Sequence, residues 1–309
     1  MTDVQTVPTD KPQPKLWVAD SVLLLTAVVW GINILVFKHV DSGNDLFSFN
    51  ALRLILALTT LTVLSVIEVL VWPETRPKAP IPWSRIFLFS ILNGLLYLLL
   101  FVNAVPMTTA GNVALILASL PMWTALLSFG IFRERLPKIT WVGLVITFFG
   151  TVIVTTQSSR EVNLSSQYFA GNMLMLLATI FWASATVVSR TIMTALTPLQ
   201  LAMISSWLTV PIHVLIAMKG LPQAVERLSS PPYLFAVIYS GVFSTGIAYA
   251  TWNAGVRMVG ASHASVFQNV VTLVAVIGGW LALGEQMVMA QILGGLLTIA
   301  GLFLMRRGR

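Results

Sequence analysis

Asn50 and Arg53 stand three positions apart in the run SFNALRLILAL, residues 48–58. That spacing puts an amide and a guanidinium on one helical face. In apolar surroundings a planar guanidinium can take a substrate carboxylate through two parallel hydrogen bonds. The alternatives are a gate, a pairing with Asp41 or Asp45, or a side chain that snorkels to the headgroups. Trp30 and Asn33 recur further along as Trp182 and Ser184. Indole walls with a few amide or hydroxyl groups suit an amphipathic solute, held by apolar contact and oriented hydrogen bonds; indoles at a lipid interface are the other reading. Tyr249, Trp252 and Asn253 share a face by their spacing of three and four, and Tyr97 and Asn103 lie in an earlier run, so both groups either line the same pathway or pack. His263 is able to take up and release a proton near neutral pH and so to couple movement of a solute to a proton gradient, against the plainer role of an interfacial hydrogen bonder. Gln268 and Asn269 follow it, with Asn112 expected opposite. Glu134 and Glu285 are read as caps of the helices that follow them, where first-turn amides favour negative charge, with gating by ion pairing as the alternative.

The elements that must position these groups are membrane spans. Hydrophobic residues make up 57% of the 309 and charged residues 9%, and the mean hydropathy is +0.87. So little polar surface cannot cover a water-soluble globule of this length. Ten apolar runs of roughly 20 residues are each long enough to cross hydrocarbon: 18–39, 47–72, 84–104, 110–131 and 138–156, then 169–190, 198–219, 232–253, 262–283 and 288–306. They are continuously apolar, so barrel strands, which alternate, are excluded. The expected organisation is a disordered tail at 1–17, a five-helix unit at 18–156, an outer linker at 157–168, a second unit at 169–306 and a short tail at 307–309. The first run is too long for the core of a secretory signal. With no cysteine, disulfides and thiolate metal sites drop out. The net charge of +7 lies in cations scattered beside the spans, with no aromatic-interleaved stripe for nucleic acid.

IFRERLPKITWVGLVITFFG, residues 131–150, returns 151 positions on as ALGEQMVMAQILGGLLTIAG. The glycines and the glutamate are kept, while Arg133, Arg135 and Lys138 become Gly284, Gln286 and Met289. Five spans per half is an odd number, so the second copy enters the membrane upside down. With the N-terminus in the cytoplasm, thirteen of the 18 Lys and Arg fall on the inner side; Lys38, Arg160, Lys219 and Arg227 fall outside, and Arg53 lies within a helix. The positive-inside bias selects that orientation and explains why one copy of the loop has lost its cations. Inverted repeats are a building plan of secondary transporters.

WGIN in the first run, Arg53, the stretch AGNVALILASLPMWTALLSF leading to FRERL, and in the second half AYATWNAGVRMVGASHAS and LALGEQ together resemble the EamA family of the drug/metabolite transporter superfamily, over nearly all of residues 20–305. The resemblance implies an all-α polytopic membrane protein of ten transmembrane helices. They form two inverted five-helix repeats around a central cavity, with the fifth and tenth helices at the periphery. It departs at the proline late in the fourth span: Pro121 is present, but the matching position in the ninth is Thr272, which puts a second kink in doubt. There is no Walker loop, HExxH pair or nucleophile elbow, so an enzyme is not expected and no cofactor is called for. The expectation is a secondary transporter in the inner membrane, an exporter of small metabolites with amino acids as the leading class. Drugs, nucleosides and sugar phosphates are the rival solutes, and a membrane-embedded enzyme or sensor is the rival class. The expected partners are a small-molecule substrate and the bilayer. Glycines at 143, 150, 294, 295 and 301 offer small faces for packing within the chain, or between two copies in a homodimer.

Overall fold

A computed structural model describes residues 16–41, 45–77, 79–133, 137–156, 167–259, 267–285 and 288–307. Among them every regular element is helical. The first five spans are α1 (Leu16–Asp41), α2 (Leu46–Val71), α3 (Trp83–Phe89, Ser90–Tyr97 and Leu98–Ala104 in sequence), α4 (Ala110–Leu117, then Leu120–Phe132) and α5 (Lys138–Thr156). The second five are α6 (Gln167–Arg190), α7 (Pro198–Ala217), α8 (Pro231–Ile238, Tyr239–Ile247 and Ala248–Val259), α9 (Gln268–Leu283) and α10 (Met289–Arg307). Helix α1 begins two residues before the expected span, and α8 runs six beyond its expected end at 253. Two of the candidate residues lie outside the described residues: His263, within 260–266, and Glu134, within 134–136.

Local chemistry sets the ends. Asp45 caps α2 by accepting from Phe47 N at 3.0 Å; of the two carboxylates weighed as partners of Arg53, the Asp41 side chain lies outside the described residues. Thr197 and Gln200 form a reciprocal capping box at the start of α7, with Pro198 at the first helical position. Helices α4 and α9 end in left-handed residues at equivalent places, Arg133 (φ 53) and Gly284 (φ 66); glycine fits that conformation without a Cβ penalty. Helix α4 breaks at Ala118–Ser119, just before Pro121, whereas α9 is unbroken at Thr272. Threonine at 272 carries the backbone N–H that proline lacks, so the second half has no matching break.

Packing displays the inversion. Helix α1 contacts α8 and α9 as α6 contacts α3 and α4; α2 contacts α8 as α7 contacts α3; α2 and α7 meet, and so do α5 and α10. Each contact maps onto another when the halves are exchanged. Helices α3 and α8 are also alike inside: Ser90–Tyr97 and Tyr239–Ile247 are wound as π-helix. Ser90 and Ser240, 150 positions apart near the starts of these segments, have buried hydroxyls with no hydrogen-bond partner among the described residues.

The α5–α10 contact takes up Gly143, Gly150, Gly294 and Gly301, while Gly295 faces Leu115 of α4. A Cβ on Gly143 would lie 2.5 Å from Gly301 O, and one on Gly150 would lie 2.5 Å from Thr298 N and 2.6 Å from Gly294 O. Backbone meets backbone here, as small residues allow in a bilayer. Phe148, Phe149 and Val152 on α5 and Leu293, Leu296 and Phe303 on α10 are exposed on the outer faces of the pair.

Glu285 does cap a helix, but α4 rather than the following α10. Its Oε1 accepts from Ala110 N at 2.7 Å and its Oε2 from Gly111 N at 3.3 Å. Crossing between the halves brings the α4 N-terminus beside the end of α9, and a carboxylate there is charge-assisted. Glu285→Ala is expected to cost about 1–2 kcal/mol of stability, read as a lowered melting temperature in detergent. Asn112, expected opposite Gln268 and Asn269, is instead buried beside this cap. It bonds Thr108, Asn172 and Gln291, joining α4 to α6 and α10. Glu68, near the inner end of α2, accepts from Thr197 Oγ1 at 2.8 Å.

Candidate functional site

Between the two halves lies a void of about 1100 Å³, counting its mouth. Trp30 of α1, Tyr97 of α3, Trp182 of α6 and Tyr249 of α8 give it an aromatic wall; Asn93, Ser205, Ser206, Thr209 and Thr245 give a second wall of amide and hydroxyl groups. Asn33 and Gln268 also border it, Asn33 with its Oδ1 buried and without a partner among the described residues.

The aromatic wall is a linked stack. The Trp30 and Trp182 rings meet edge to face at 6.3 Å, Tyr97 tilts against Trp182 at 5.1 Å, and Trp252 packs against Trp30 at 5.0 Å. Trp252 is thus a buttress behind the wall rather than part of its lining. Trp30 is fixed further by donating from Nε1 to Ser244 O at 2.9 Å. That carbonyl belongs to the π segment of α8.

Arg53 is the only charged side chain among the described residues lining the void. It arrives there because α2 runs inward from Leu46, and seven residues at 1.5 Å each set it about 10 Å from the helix start. Its Nε donates to Asn50 Oδ1 at 3.0 Å and its Nη1 to Thr245 Oγ1 at 2.7 Å. Cζ lies 4.7 Å from the centroid of the Phe37 ring, a cation–π contact. No carboxylate pairs with it among the described residues, and Nη2 has no hydrogen-bond partner there. A guanidinium carries five donors; these bonds use two of them, and the side chain borders the void.

Sequence reasoning missed His213 of α7. Asn50 Nδ2 lies 3.2 Å from its Nδ1, and its Nε2 lies 2.8 Å from Gly94 O in the π segment of α3. Asn50, Arg53 and His213 are between 1% and 3% exposed. The signal was there, since a histidine amid the apolar run TVPIHVLIA needs a partner, but its partner lies on another helix.

Several expected site residues stand elsewhere. Asn50 is not part of the lining; it lies behind Arg53. Asn103 is exposed and donates to Leu99 O of its own helix at 2.7 Å. Ser184 donates to Ile180 O at 2.8 Å, again within its helix. Both found a local carbonyl one turn back, an option always open to short polar side chains. Asn253 and Asn269 lie on α8 and α9, with side chains outside the described set.

A ten-span helical protein of two inverted repeats, closed around a polar-and-aromatic void with one cation at its edge, is built as a membrane transporter. Residues 17–156 and 169–307 each match the EamA-like transporter family, and the chain belongs to that family. An Archaeoglobus fulgidus protein named an uncharacterized transporter is 24% identical over 96% of this chain and 100% of its own length. A Salmonella typhimurium protein named a probable amino-acid metabolite efflux pump is 23% identical, covering 91% of this chain and 92% of its own. A solved crystal structure superposes with a TM-score of 0.61 over 94% of this chain and 97% of its own, at 17% identity, and so shares the fold.

Proposed function

We propose that the chain is a secondary transporter of small metabolites bearing a carboxylate, with amino acids the leading class, and that it exports them from the cytoplasm. The observation that carries this reading is Arg53, a cation at a cavity wall with donors to spare and no carboxylate paired with it among the described residues. In a low-dielectric site such a group favours an anionic partner strongly. Trp30, Tyr97, Trp182 and Tyr249 would hold the apolar part of the solute, and the hydroxyl wall would orient its polar groups. A cationic drug would meet the repulsion of Arg53 with no counter-charge in the lining. A sugar phosphate wants more than one cation. The name of the Salmonella relative points the same way, toward amino-acid metabolites and toward efflux.

Movement would follow alternating access, the two repeats rocking about their shared midplane axis. Both termini would face the cytoplasm of the inner membrane, on the side that receives thirteen of the 18 cations. Flux into proteoliposomes across a panel of amino acids, simple carboxylates, nucleosides and amines tests the reading. Saturable transport of carboxylates is the expected result; transport of amines alone would remove it. The same flux, run with and without a proton gradient, tests His263: a pH-insensitive rate excludes it as a coupling group.

A further inference from the structure

We propose that His213 is a positioning residue for the substrate site. It acts through Asn50 and sets the direction in which Arg53 presents its free edge to the void. The inference rests on Arg53 being the anchor described above, and adds a residue that touches neither the void nor the solute.

Donor and acceptor chemistry gives the chain of bonds one polarity. Arginine has only donors, so the Asn50 atom facing Arg53 Nε must be the carbonyl Oδ1. The amide nitrogen Nδ2 then faces His213, and the ring atom it meets, Nδ1, must accept. Nε2 therefore carries the proton and donates to Gly94 O, which can only accept. Each assignment forces the next, and the result is a neutral ring that holds an asparagine, which holds a guanidinium. On its other side Arg53 donates to Thr245 Oγ1, and Thr245 Oγ1 donates to Ser240 O at 2.8 Å. The line thus runs from a carbonyl of the π segment in α3 to one of the π segment in α8, with Arg53 between. Nε and Nη1 are tied along this line, which leaves Nη2 as the edge turned to solute. Without the histidine acceptor, Asn50 has a buried amide with no partner and is free to turn. Arg53 then loses the acceptor that fixes its Nε side.

Two substitutions separate this role from that of a strut between α7 and α3. His213→Asn places an acceptor near the position of Nδ1 and cannot reach Gly94 O. His213→Gln places a donor near the position of Nε2 and offers Asn50 nothing at Nδ1. With the best carboxylate of the flux panel, His213→Gln is expected to raise KM about 10-fold with kcat little changed, and His213→Asn to leave KM within about 2-fold. The reverse order, equal losses in both variants, or no loss in either would overturn the proposal. A second readout needs no substrate: a double-mutant cycle on melting temperature in detergent. His213→Gln and Arg53→Gln should be non-additive, and His213→Asn and Arg53→Gln additive. Additivity in both cycles would overturn it too. A wild type that carries no carboxylate would instead sink the reading of the site, leaving the thermal cycle to decide on His213.

Discussion

Arg53→Ala lowers kcat/KM for a carboxylate substrate by about 100-fold, while Arg53→Lys loses roughly 10-fold. The first figure follows from two charge-assisted hydrogen bonds at about 1.5 kcal/mol each, with every 1.4 kcal/mol worth a factor of ten. Lysine keeps the charge but not the planar fork, so it cannot hold a carboxylate and Thr245 together. Initial rates in proteoliposomes, on protein shown to be monodisperse, check both values. Substrates without an acidic group supply the internal control, since a general loss of folding would depress them equally. Unchanged carboxylate transport by Arg53→Ala would place the anchor elsewhere in the cavity.

Gly150→Val gives the largest loss of stability. The new side chain would start 2.5 Å from Thr298 N and 2.6 Å from Gly294 O. Neither neighbour is a flexible tip that can swing aside; both are helix backbone. Overpacking of a tight contact costs about 1–3 kcal/mol even where side chains can give way. Here α5 and α10 must separate, and the close contact at Gly143 and Gly301 opens with them. A drop of several degrees in melting temperature is expected, with Phe149→Leu on the exposed face of the same helix unchanged within error. A normal melting curve for Gly150→Val would mean that the two helices are not held this closely.

The fold was largely legible because a bilayer restricts the choices. Each span had to be continuously apolar, so Ile131–Gly150 and its distant copy announced themselves as helices, and the vanished cations announced the inversion. The π segments were not legible. Nothing in SILNGLLY or YSGVFSTGI differs in pattern from α-helix; the extra residue per turn is a matter of how the backbone is accommodated against α7 and α2. The site was half legible for a related reason. Trp30, Arg53, Tyr97 and Trp182 could be found as polar or amphipathic groups deep in apolar runs. Whether such a group faces the void or satisfies itself on its own helix depends on rotation about the helix axis, which a few residues of spacing do not determine. Asn103 and Ser184 were misplaced on that account. His213 and Glu285 act on helices far away in the chain, Glu285 capping α4 rather than its neighbour, and only the cross-packing of the halves brings them to their partners.

Two carbonyls at equivalent places in the π segments, Gly94 O and Ser244 O, are each held by a side chain from the opposite half, His213 and Trp30. Both donors are uncharged, and each of these bonds contributes about 0.5–1.5 kcal/mol; the Asn50–His213 and Arg53–Thr245 bonds cross between the halves beside them. Each such bond alone is about one to three times thermal energy, so the two repeats are tied at their π segments by several weak links, shared symmetrically, instead of one strong one.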